Sequence, residues 1–155
     1  MNRVVITIRP AFSDDALLSV SDAMLQVLDS LRLLQNAQLT MGDPHDRFDW
    51  KLERAFTSGS FTIVAVALPM NPSIDISGAV ERTKAHVSRG IKSLIVDGVT
   101  APWMTQESLS IVRSIFARNQ NGIGETTIDF GGAEILSIDR QQAEAGSRAV
   151  AHITR

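Results

Sequence analysis

A chain of 155 residues is long enough for a single domain with its own hydrophobic core. It holds no cysteine, which excludes disulfides, thiolate metal sites and a cysteine nucleophile; three scattered histidines (His45, His86, His152) argue against structural zinc. A net charge of −2 gives no general pull toward nucleic acid or anionic membrane, while 44% hydrophobic residues and a mean hydropathy of +0.05 lean to the apolar side.

The opening "MNRVVITIRP" carries an apolar run that Arg9 and Pro10 interrupt, too short for a signal peptide or a membrane span. The expectation is a soluble cytoplasmic protein. Residues 3–9 are rich in β-branched side chains and read as a strand with Val4, Ile6 and Ile8 on one face. Residues 13–35 predict a long helix, with Ser13 as N-cap and Asp14 and Asp15 at the positive end of its dipole. Its apolar stripe is Leu17, Val20, Met24, Val27, Leu28, Leu31 and Leu34, with Asp22, Gln26 and Asp29 on the wet side.

After the polar connection 40–47, residues 48–56 alternate as a half-buried strand. Phe48, Trp50, Leu52 and Phe56 point one way, and Asp49, Lys51 and Glu53 the other. "TSGS" (57–60) has hairpin composition, and "FTIVAVAL" (61–68), apolar on both faces, predicts a central strand buried on each side. Residues 75–98 predict a second helix with Ile76, Val80, Val87, Ile91 and Leu94 inside and Gly98 as its stop. Thr105 caps a third helix over 106–120, with Leu109, Val112, Ile115 and Phe116 inside. Residues 125–138 read as a hairpin turning at Gly131-Gly132. Asp139 and Gln142 form a capping pair for a last helix over 140–151. The order β-α-β-β-α-α-β-β-α predicts one α+β domain over 1–155: a five-stranded, mainly antiparallel sheet with helices packed on one face.

No sequence stretch carries a catalytic signature. In "RNQNGIGETTIDFGGAEIL" (118–136) the glycines follow a helix, whereas a phosphate loop needs them before one. They read as punctuation, with Asn121-Gly122 suited to a left-handed cap; the alternative is a rim in which Arg118, Asn119 and Asn121 meet a ligand. Serines are plentiful, yet none lies in GxSxG or SxxK. "GDPHDRFD" gathers Asp43, His45, Asp46 and Asp49, a set able to hold a hard cation but equally typical of a turn.

The second helix bears Arg82, Lys84, His86, Arg89 and Lys92, and Arg113 and Arg118 extend the basic character into the third. Such a face suits phosphates or nucleic acid, although stacking aromatics are lacking. Arg54 falls in phase with Trp50, Leu52 and Phe56, on the buried side: a side chain snorkelling at a strand end, or an inward arginine paired with a carboxylate, at a site or at a subunit boundary. Trp103 precedes the third helix as a lid on the core or a contact anchor.

The expected function is a non-catalytic protein–protein interaction module that associates with itself. The alternatives are anion or nucleic-acid binding by the basic helical face, and a small metal-dependent hydrolase or nuclease. No cofactor, resident metal or membrane contact is expected.

Overall fold

The computed structural model describes residues 2–10, 19–57, 59–131 and 134–154. Strands β1 (Arg3–Arg9), β2 (Phe48–Thr57), β3 (Phe61–Pro69), β4 (Glu125–Gly131) and β5 (Glu134–Ile138) form one antiparallel sheet in the order β2-β3-β1-β4-β5. Helices α1 (Val20–Met41), α2 (Ser77–Asp97), α3 (Gln106–Asn121) and α4 (Arg140–Ile153) occupy one face, in the chain order that the sequence predicts. The run β1-α1-β2-β3-α2-α3-β4 is a split β-α-β arrangement, to which the hairpin strand β5 and α4 are added.

The central strand is β1, with Ile6 opposite Ile63 of β3 and Ile128 of β4. These residues, with Val4, Ile8, Ala65, Phe130, Leu136 and Ile138, make the floor of the core. The apolar strand β3 lies one place out from the centre. On the face away from the helices it buries Thr62 and Val64, but Val66 is half-buried and Leu68 exposed. Two-sided burial therefore covers only its first half.

Three caps read from local chemistry are found where the sequence places them, at Thr105, Asp139 and Gly98. Thr105 accepts the Ser108 amide at 3.2 Å, and Asp139 and Gln142 exchange both capping bonds, at 2.8 and 2.9 Å. Gly98 ends α2 in the left-handed region with φ +68°. Gly122, by contrast, ends α3 at φ −136°, so the expected left-handed cap is absent there; a Cβ at this position would run into the Asp22 carboxylate. Gly131 has φ +92° at the β4–β5 turn, while Gly132 lies outside the described residues.

Two elements differ from their sequence reading. Helix α1 is capped by Ser19 and extends to Met41; Ser13, Asp14, Asp15 and Leu17 fall outside the described residues. Its orientation also differs. Gln26 and Asp29, read as wet, are buried with Ser30, Leu33, Leu34 and Ala37, whereas Met24 and Leu28, read as core, face out. The helix has apolar residues on two sides, and tertiary hydrogen bonds choose between them. In β2 the register shifts between Leu52 and Arg54: Leu52 pairs with Ala65, and Arg54 with Val64. This bulge breaks the alternation, so Arg54 and Phe56 turn onto the open sheet face, away from Trp50 and Leu52.

Helix α4 crosses α3 at Gly146, where the Phe116 ring occupies the space a Cβ would need. Gly146→Ala should destabilise the fold by about 1–3 kcal/mol through overpacking, against the roughly 1 kcal/mol that alanine gains in an unpacked helix. Urea unfolding monitored by circular dichroism checks the sign; a stabilised variant would contradict this packing.

Candidate association surface

The polar residues singled out in the sequence do not gather in one place. On α2, Arg82, His86, Arg89 and Lys92 are exposed, but Arg82 lies 3.8 Å from Asp46 and Lys92 lies 3.6 Å from Glu134. Arg82 and His86 share a groove of about 320 Å³ with Asp43 and Asp46, so the acidic turn faces the basic helix and offsets its charge. Asp43 itself accepts the His45 amide at 2.9 Å as the cap of a short 3-10 turn, Pro44–Asp46. Among the described residues no group of three or more acidic or histidine side chains is arranged to hold a metal.

On α3, Arg113 reaches toward α4, donating to the Thr154 hydroxyl at 3.4 Å. Asn121 is exposed and donates to the Ala117 carbonyl at 3.0 Å within its own helix end.

Arg118 and Asn119 point inward instead. Arg118 donates to the Asp29 carboxylate at 2.7 Å and to the Gln26 carbonyl oxygen at 3.1 Å. The Gln26 amide, with two N–H groups, lies within hydrogen-bonding distance of three acceptors: Asn119 at 2.7 Å, Thr126 at 3.0 Å and the Ile115 carbonyl at 3.1 Å. Asn119 donates to the Ile138 carbonyl at 3.0 Å. One connected set of buried bonds thus joins α1, α3, β4 and β5. Its members satisfy one another, the condition under which buried polar groups specify an arrangement rather than weaken it.

Trp103 is likewise internal. It is 1% exposed, and its indole N–H donates to the His86 carbonyl at 3.2 Å. A Cβ on Gly90 would meet this ring at 2.9 Å, which explains a glycine in the middle of α2. Arg54, turned out by the bulge, is exposed opposite Val64, with Phe56 also exposed two residues on.

The side of α1 that the network leaves outside carries an apolar stripe. Gln38, near the end of α1, brackets Phe48 of β2: its carbonyl oxygen accepts the Phe48 amide at 2.7 Å and its amide donates to the Phe48 carbonyl at 3.0 Å. Asp29, nine residues earlier and so about two and a half turns away, faces α3 from the opposite flank. Met24 and Leu31 precede Gln38 by about four and two turns, which sets them on the flank toward β2. Met24 is 58% exposed and its outward neighbour Leu28 is 51% exposed.

On β2, Leu52 lies on the helix-bearing face, opposite the core residue Ala65, yet is 66% exposed. Ala55 and Thr57, on the same face, are also exposed. Among the described residues, no helix covers the second half of this edge strand. Leu31 of α1, Trp50 of β2 and Phe61 of β3 pack half-buried against the same core, which puts the exposed stripe of α1 and Leu52 on one side of the sheet. These exposed side chains are uncharged. No protein-family model matches the chain, and no curated protein or solved structure shows significant similarity to it.

Two expected outcomes follow from the buried polar groups. Arg118→Met removes two bonds, one to a carboxylate, and should cost about 1.5–3 kcal/mol, whereas Asn121→Ala, at the exposed helix end, should stay within about 0.5 kcal/mol. Denaturant midpoints compare them; equal effects would mean that the network carries no stability. Lys84 of α2 is buried, and burial, partly opposed by the Glu81 carboxylate at 3.4 Å, holds its pKa below the ordinary 10.5. The unfolded chain then binds more protons in the window below 10.5, so stability rises with pH there. Subtracting the pH profile of Lys84→Met should isolate that rise, and a flat difference would refute it.

Proposed function

We propose that the protein is a cytoplasmic, non-catalytic association module that pairs with a second copy of itself through the exposed apolar side of α1 and the Leu52 end of β2. The observation that carries this reading is the exposure of Met24 and Leu28 on α1 and of Leu52 on the helix-bearing face of β2. Contiguous apolar surface marks interaction sites more often than scattered exposed side chains do. Two further features support it. The inward polar residues are committed to structural bonds, with Gln26, Asp29, Arg118 and Asn119 holding one another. Basic residues of α2 face carboxylates from neighbouring elements, which weakens the case for phosphate or nucleic-acid binding.

A second copy is the favoured occupant because a two-fold contact presents a surface to itself. Any net charge on such a face would be doubled and repelled, and the exposed apolar side chains of α1 and β2 bear none. A stable interface needs about 800 Å² from each partner. Helix α1, with 22 residues, offers a strip about 33 Å long and about 10 Å wide. That is too little alone, so the β2 ledge is needed as well.

Light scattering at micromolar concentration should give the mass of a dimer. Leu28→Asp and Leu52→Asp, both at exposed positions, should each shift the sample toward monomer while the denaturation midpoint stays near wild type. A wild-type protein that remains monomeric throughout would overturn the proposal.

A further inference from the structure

The outward side of α1 has a spacing that fixes how two copies would meet. Val20, Met24, Leu28, Leu31, Gln35 and Leu39 follow one another at steps of four, four, three, four and four residues. Steps of three and four keep side chains on one stripe of a helix. This series also reads the same from either end. Two such helices laid antiparallel, with the two-fold axis between Leu28 and Leu31, bring Leu28 against Leu31, Met24 against Gln35 and Val20 against Leu39. Every position then finds a stripe residue of the partner.

Resting on the self-association proposed above, we infer that the pair forms by antiparallel packing of α1 against α1, each helix lying over the partner's bare β2 ledge. The buried network makes this possible by turning the other side of α1 inward. Arg32, the charged residue beside the outer stripe, is already held by Asp29 at 3.1 Å and lies 3.7 Å from Glu107, so it brings no uncompensated charge to the contact. The side-chain carbonyl oxygen of Gln35, in the same row, accepts from the Gln38 amide at 3.1 Å, and Gln35 places one polar side chain opposite Met24 of the other copy. A single polar position in an apolar seam favours one register over its neighbours.

A charge exchange tests the arrangement. In the double variant Met24→Lys with Gln35→Glu, antiparallel packing sets each lysine against a glutamate of the partner, whereas parallel packing sets like charges together. The variant Met24→Lys with Gln35→Lys sets like charges together either way. Both positions lie on the outer side of α1, and circular dichroism with thermal melting verifies that each variant folds.

By sedimentation, the lysine–glutamate protein should keep a dissociation constant within about tenfold of wild type, and the lysine–lysine protein should lose at least about a hundredfold. Added salt should weaken the first and partly rescue the second. If both variants dimerise as wild type does, α1 is not in the contact, and this inference fails while self-association stands. If the lysine–glutamate protein is monomeric and wild type dimeric, the antiparallel arrangement is wrong. A monomeric wild type removes both.

Discussion

The side-chain amide of Gln26 decides the rotation of the first helix, and most of the architecture follows from that. An amide in the core must find partners or cost stability. Here both N–H groups find acceptors on α3 and β4, and the side-chain carbonyl oxygen accepts from Arg118. The neighbouring Asp29 is tied to the same arginine. Burying these polar residues forces Met24 and Leu28 to the outside, so part of the apolar content of α1 is withheld from its own core. The greasy composition of the chain is spent partly on that surface.

The local features were legible because they depend on adjacent residues. The capping pairs at Thr105 and Asp139, the stop at Gly98 and the strand–helix order follow from chemistry within a few positions. The buried faces of α2 and α3 also follow, since Val87, Ile91, Val112 and Ile115 have no rival stripe. Helix α1 was not legible in the same way. It offers two apolar stripes, and the choice depends on Asn119 and Thr126, 93 and 100 residues further along. A period of 3.6 says that a helix has a face; it cannot say which of two candidates meets the sheet.

The candidate residues sort by the same rule. Arg118 and Asn119 looked like loop-end binders because charge and amide chemistry resemble a ligand rim, yet only the fold reveals that Gln26 and Asp29 await them. Arg54 looked like a contradiction because strict alternation was assumed through a position where the strand has an extra residue. The groove shared by Arg82 and Asp46 joins two stretches that seemed unrelated, one acidic and one basic. In each case the missing information was a pairing with another element of the fold.

The bulge in β2 has a further consequence. This ten-residue strand stands at the margin of the sheet, where free backbone groups invite another chain to add itself as a sixth strand. The irregularity between Leu52 and Arg54, flanked by Lys51, Glu53 and Arg54, spoils the flat hydrogen-bonding template at its middle. Growth by sheet extension, which has no natural end and leads toward fibres, is thereby discouraged. An edge spoiled in this way offers side chains, rather than a row of backbone groups, to another chain.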